Sequence, residues 1–160
     1  MANYSALTTI GVKVGYALAS EGDEHPKTGY THLKGLRTTP DFNVAPNTTD
    51  VTTFENSEFT SKKSLLKDIP DNFEFGGVLS QGLGTDWKTL ITAYGTGTKR
   101  MWFVIEVPGY EDALYFPGIP GKLSFPSFEV NTAIADMSLF INNDGGEALM
   151  DTKPTSWVGE

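Results

Sequence analysis

Cysteine is absent from the 160 residues. That excludes a disulfide framework, a thiolate metal site and a cysteine nucleophile together. Histidine is scarce, with only His25 and His32, so a zinc site would need carboxylate ligands at spacings the chain does not show. Basic residues are also in deficit: 12 Lys+Arg stand against 20 Asp+Glu, for a formal net charge of -8. Affinity for nucleic acid rests on phosphate neutralisation by a basic face, so specific gripping of DNA is not expected. No apolar run approaches the ~20 residues that a membrane helix needs. The opening "MANYSAL" has neither the basic region nor the apolar core of a secretory signal. A chain with no membrane partner, made and kept in the cytoplasm before any assembly step, is the expectation.

Signatures of chemistry are missing as well. There is no Gly-x-Ser-x-Gly elbow, and "GLGTD" and "GTGTK" lack the strand, GxxxxGK[ST] and helix context of a phosphate loop. The acid groups Glu21/Asp23/Glu24, Glu111/Asp112 and Asp144/Glu147 fall in turns, where solvated carboxylates belong, and not across a cleft as paired-carboxylate catalysis requires. The expectation is no catalytic residue, no metal and no cofactor.

What is present is a globular β composition. Hydrophobic residues make up 39% and charged residues 20%, with 17 Gly and 9 Pro to turn many short strands. At this length one core suffices, burying about 68–70% of the unfolded chain's surface. "TIGVKVGYAL" at 9–18 alternates Ile10, Val12, Val14, Tyr16 and Leu18 against small or polar residues, and "YTHLKGLRTT" alternates more weakly. These two segments predict an antiparallel pair joined by an acidic turn. In "DNFEFGGVLSQG" Phe73 and Phe75 share a face opposite Glu74, with Gly76-Gly77 marking a bulge or a close backbone approach. One helix is predicted at about 85–95, capped by Gly84 or Thr85 with Asp86 at its positive end. Trp87, Leu90, Ile91 and Tyr94 form its packing stripe, and Gly95 ends it.

The run 101–107 is apolar on both faces, so it must be covered twice, by the helix and by a second sheet or a neighbouring subunit. Pro108-Gly109 turns the chain so that 113–116 pairs back, and Pro117, Pro120 and Pro126 confine the next segment to edges and loops. A long final strand is predicted over 128–142, with a bulge near 133–135 where the apolar parity changes. These elements give a mainly β fold class: an antiparallel β-sandwich or partly open barrel with one flanking helix. Residues 1–8 read as an N-terminal arm, 9–142 as the single domain and 143–160 as a C-terminal arm.

The remaining feature is the polar stretch 41–70, which begins after a strand, restarts as an extended run at Asp50, and sets Lys62, Lys63 and Lys67 against Glu55 and Glu58. Loops beyond about 12–15 residues are uncommon unless they bind something or stay disordered, and the expectation is an arm that points toward a partner. The succession "GLRTTPDF", "TTDVTTFE", a polar loop, a strand, the helix "TDWKTLITAY" and closing strands resembles the major tail tube protein of long, non-contractile-tailed bacteriophages, over most of residues 7–142. The tube proteins of contractile tails and secretion machines share that fold.

The resemblance implies a structural virion protein in which six copies close a ring through a continuous barrel of strands. Rings then stack into a tube through loops and terminal arms. Its partners would be itself, a tape-measure protein, and tail terminator and initiator proteins. DNA would pass through an acidic channel without specific binding, and the protein would reside in the virion tail. On this expectation Glu74, Glu106, Glu129 and Asp136, each interrupting an apolar strand, are lumen candidates. Asp50, Phe54, Phe59 and Trp157 are candidates for contacts between copies. A different class, a carbohydrate-binding or adhesion module, would use Trp87, Trp102 and Trp157 as a stacking platform, although periodicity buries the first two.

Overall fold

A computed structural model of the chain describes residues 6–19, 22–42, 48–50, 62–64, 72–95, 97–131 and 133–159. The chain forms two compact units, Met1–Pro40 with Asn72–Glu160, and Asp41–Asp71. In the larger unit β1 (Lys13–Leu18) pairs antiparallel with β2 (Thr31–Leu33), after which the chain turns through Gly35 (φ +86°) into β3 (Leu36–Thr38). In the smaller unit β4 (Thr48–Asp50) pairs antiparallel with β5 (Lys62–Ser64). The larger unit resumes with β6 (Asn72–Val78), α1 (Gln81–Tyr94), β7 (Met101–Glu106) and β8 (Asp112–Pro117). It closes with β9 (Ile119–Pro120), β10 (Asp136–Asn142) and β11 (Leu149–Thr152).

Two antiparallel sheets result, one in the order β11-β8-β7-β1-β2 and one in the order β3-β6-β10-β9. Neither closes into a barrel among the described residues. The protein is a mainly β sandwich with a flanking helix. Alternation explains the layering: odd positions of β6 and β10 point inward, so Phe73, Phe75, Met137, Leu139 and Ile141 are buried. Phe75 meets Phe103 and Phe116 of the other sheet with ring centroids 6.1 and 5.9 Å apart, and Phe103 stacks on Phe116 at 5.4 Å. This aromatic layer is the joint between the sheets.

The twofold covering of β7 is met within the chain. Its inward residues Met101 and Phe103 face the second sheet. On the opposite side Trp102 and Val104 join Ala17, Ala19, Tyr30, Ala113 and Tyr115, with Leu149 and Trp157 packed over them. The described parts of the 19–30 connection and of the tail therefore supply the second cover, in place of the helix or a neighbour.

Four local expectations change. The helix begins at Gln81, because Ser80 caps it by accepting the Leu83 N–H at 3.3 Å. Gly84 and Thr85 lie inside it, and Asp86 is beyond the first turn. Its buried stripe is Leu83, Trp87 and Leu90, with Ile91 and Tyr94 partly exposed, and the Trp87 Nε1–H donates to the Gly121 carbonyl at 2.9 Å. The first strand is shorter than 9–18, since Gly11 takes φ +86° and leaves Ile10 83% exposed.

At Gly76-Gly77 the close approach holds: a Cβ on Gly76 would strike the Thr38 hydroxyl, and one on Gly77 would sit 2.8 Å from the Gly35 carbonyl. The β6–β10 ladder stays continuous there, and the irregularity falls on β3, between Leu36 and Thr38. The long final strand is only Asp136–Asn142, without a bulge. Phe128 and Val130 have the wrong parity to join Met137, Leu139 and Ile141 on the inner face of one continuous strand. The chain resolves that conflict by leaving the described residues of 121–135 without strand structure.

The C-terminal segment also differs from an arm. It forms β11 on β8, with Leu149 opposite Tyr115 and Thr152 opposite Asp112. It then reaches the outer edge of β2, where Val158 N–H donates to Tyr30 O at 2.8 Å and Gly29 N–H to Ser156 O at 3.2 Å.

Candidate functional site

The four-stranded sheet has one face against the core and one toward solvent. Asn72 and Glu74 of β6 and Asp136, Ser138 and Asn142 of β10 line the solvent face with Phe140. Glu74 stands opposite Phe140 and Asp136 opposite Val78. This offset of four residues separates the two acids by about 13 Å along the strands, beyond the roughly 5–10 Å of carboxylates that share a catalytic event. Asp136 Oδ1 accepts from Arg37 Nη1 of β3 at 3.1 Å, with both side chains more than half exposed. A pair so solvated contributes about 0–1 kcal/mol.

The other two lumen candidates lie elsewhere. Glu106 belongs to the five-stranded sheet, 3.8 Å from Lys153 Nζ, and its Oε2 is buried without a hydrogen-bond partner among the described residues. It ties β7 to the tail and does not share a wall with Glu74. Glu129 is exposed, in the strandless 121–135 segment. The four acids thus reduce to one pair, Glu74 and Asp136, on a common solvent face.

Of the candidates for contacts between copies, Asp50 lies in β4 with its backbone opposite Lys62, while Phe54 and Phe59 lie outside the described residues. Trp157 is seated on its own chain. Its indole lies over Gly15, where a Cβ would collide with it, beneath Lys13 Nζ at 4.5 Å, and beside Tyr30 and His32 at 6.1 and 5.8 Å between centroids. The expectation of a tail docked on a neighbour gives way to a strap on the same molecule. With Trp87 and Trp102 buried as well, the three tryptophans make no stacking platform.

Two features escaped sequence reasoning. His25, in the turn before β2, stacks on Tyr115 at 4.2 Å and meets Asp151 Oδ2 through Nε2 at 3.0 Å. The Thr152 N–H, with further help from His25, holds the Asp151 carboxyl below its ordinary range. Burial pushes the Tyr30 and Tyr115 phenols well above theirs, with Tyr115 adding to it at Tyr30 and the Asp151, Glu106 and Asp112 charges adding to it at Tyr115. Tyr30 donates to Pro26 O at 2.7 Å and Tyr115 to Thr152 O at 2.6 Å, so both hydroxyls knit the 19–30 connection and the tail to the sheet. The only local hint was the histidine's place between an acid and a proline.

The second feature is the state of the sheet edges. On the five-stranded sheet the tail forms the edge strand β11, whose outer side is unpaired among the described residues, and it bonds to Gly29 and Tyr30 just before the other edge strand, β2. On the four-stranded sheet nothing among the described residues pairs with the outer sides of β3 or β9. Among the described residues no cluster of side chains suits a metal ion, and no helix is long and apolar enough to cross a membrane. No protein-family model matches the chain, and no curated protein sequence matches it.

Proposed function

We propose that the chain is a structural subunit that assembles with copies of itself into rings, six to a ring by the tail-tube resemblance. Stacked rings form a phage tail tube through which DNA passes. The observation that carries this reading is the four-stranded sheet, apolar on one face, polar and acidic on the other, and open at both edges among the described residues. Open edges invite pairing with another chain, and a closed ring needs two different surfaces on each copy, which β3 and β9 at opposite edges provide. The solvent face bearing Glu74 and Asp136 then becomes the lumen wall, whose negative charge repels phosphate and lets DNA slide. The Asp41–Asp71 unit, with its own two-stranded ladder, is the element that joins one ring to the next.

Electron microscopy and sedimentation of the purified protein over a wide concentration range test the reading. Rings or tubes are the expected outcome, and a monomer at every concentration overturns it. Replacing residues 43–67 by a short Gly/Ser linker is expected to leave the larger unit folded and to abolish stacking. Tubes of normal length from that variant would remove the role given to the smaller unit.

A further inference from the structure

We infer that the peptide between Asp144 and Gly145 is a latent site of spontaneous isoaspartate formation, held shut in the folded chain by Arg100. The crossover from β10 to β11 begins Asn143-Asp144-Gly145-Gly146 and links the two sheets. An aspartate followed by glycine is open to this reaction because glycine has no Cβ to screen its own nitrogen. The Gly145 nitrogen attacks Asp144 Cγ, a C–N bond forms, and the acid hydroxyl leaves with the amide proton as water. A second water then opens the five-membered succinimide at either carbonyl. Opening at the former backbone carbonyl routes the main chain through the side chain and adds one methylene to the crossover. The chemistry is that of the single chain and stands apart from any assembly.

Both glycines are there for the turn. Gly145 takes φ +88°, a region that side chains avoid. A Cβ on Gly146 would strike Pro117 and lie 3.0 Å from Asp144 Oδ1 and 3.2 Å from Arg100 Nη1. The fold thus sets a reactive dipeptide in a turn whose Gly145 is exposed to water.

Three contacts keep the reacting atoms apart. Arg100 Nε donates to Asp144 Oδ2 at 3.0 Å, with the two side chains 25% and 13% exposed. The Gly146 N–H donates to Oδ1 at 2.9 Å, and the Gly145 N–H, whose proton must leave, donates to Asn143 Oδ1 at 2.8 Å. Ring closure has to turn Cγ onto the Gly145 nitrogen, away from the partners that hold both carboxyl oxygens. The two amide bonds lie within the turn and move with it, whereas Arg100 grips from outside. Its backbone is fixed just before β7, where its carbonyl accepts the Ala19 N–H at 2.9 Å, and its bond to the carboxylate is charge-assisted.

The test is to hold the intact protein at neutral pH and body temperature for several weeks and to count isoaspartate at position 144. Peptide mapping with electron-transfer fragmentation separates it from aspartate at equal mass, and an isoaspartyl methyltransferase with labelled S-adenosylmethionine counts it independently. The folded parent is expected to form it at least about tenfold more slowly than the same chain kept unfolded in guanidinium. Arg100→Gln and Arg100→Met, each checked for folding by its melting curve, are expected to raise the parent rate about tenfold, the factor that losing one hydrogen bond to a charged group sets on local opening. A folded Arg100 variant that isomerises at the parent rate overturns the inference. So does a folded parent as fast as the unfolded chain, a comparison that needs no variant to fold.

Discussion

The two sheets of this sandwich share a core and differ in almost everything else. The five-stranded sheet is covered on both faces, by its partner sheet within and by the 19–30 connection and the tail without. The four-stranded sheet is covered once; among the described residues the outer sides of its edges β3 and β9 are unpaired, as is that of β11 in the larger sheet. A self-sufficient domain has reason to close all of its edges, because an exposed ladder recruits strangers. Here the chain covers both faces of one sheet and leaves the outer face of the other to solvent.

The sharpest way to break this contrast is to remove a side chain from the doubly covered sheet. Trp102 is buried and its Nε1–H donates to Asp23 O at 3.0 Å. Trp102→Ala is expected to destabilise the domain by about 3–5 kcal/mol, a large part of the roughly 5–15 kcal/mol that holds a domain folded. Urea denaturation measures it, and a loss near zero would mean the outer cover is ornamental.

Alkaline pH probes the same cover more gently. Tyr30 and Tyr115 have folded-state pKa values raised above the unfolded value near 10. Their contribution to stability is therefore complete below about pH 10 and is lost as pH rises above it, because the unfolded chain releases those protons first. Phenolate absorbance is expected to appear for these two residues only together with unfolding. Early, reversible ionisation of all six tyrosines would contradict the tight outer layer.

The smallest effect belongs to the open sheet. The double reversal E74K/D136K removes one solvated ion pair and no packing, so the monomer's stability is expected to change by less than about 1 kcal/mol. On the tube reading proposed above, the same variant is expected to slow DNA passage with tube length unchanged, read by infectivity and microscopy. A strongly destabilised monomer would show that this face is structural and not a wall.

Much of the doubly covered sheet was legible. The two-faced apolar run at 101–107, the turn at Pro108-Gly109 and the returning strand come from local pattern, as do, in the other sheet, the inward Phe73 and Phe75. The illegible parts depended on long-range partners. "LMDT" at 149–152 is too short and weakly alternating to declare itself a strand until Tyr115 and its neighbours stand opposite. The helix start was hidden because Gly82 and Gly84 dilute the helical signal that Ser80 and Leu83 complete. Residues 128–135 carry the pattern of a strand without a place in their own sheet, so periodicity overstated the last strand. The acid candidates suffered likewise: alternation placed Glu74 outward correctly, but only the sheet order separates Glu106 from it.

The corner at Lys34 and Gly35 binds the fate of the two layers together. A pull applied to β3 has only two residues in which to dissipate before it reaches β2, the strand that carries His32 beneath the Trp157 indole. Mechanical load on the four-stranded layer is thereby delivered to the five-stranded one. The indole at that junction is a built-in strain gauge, whose emission reports a displacement of β3.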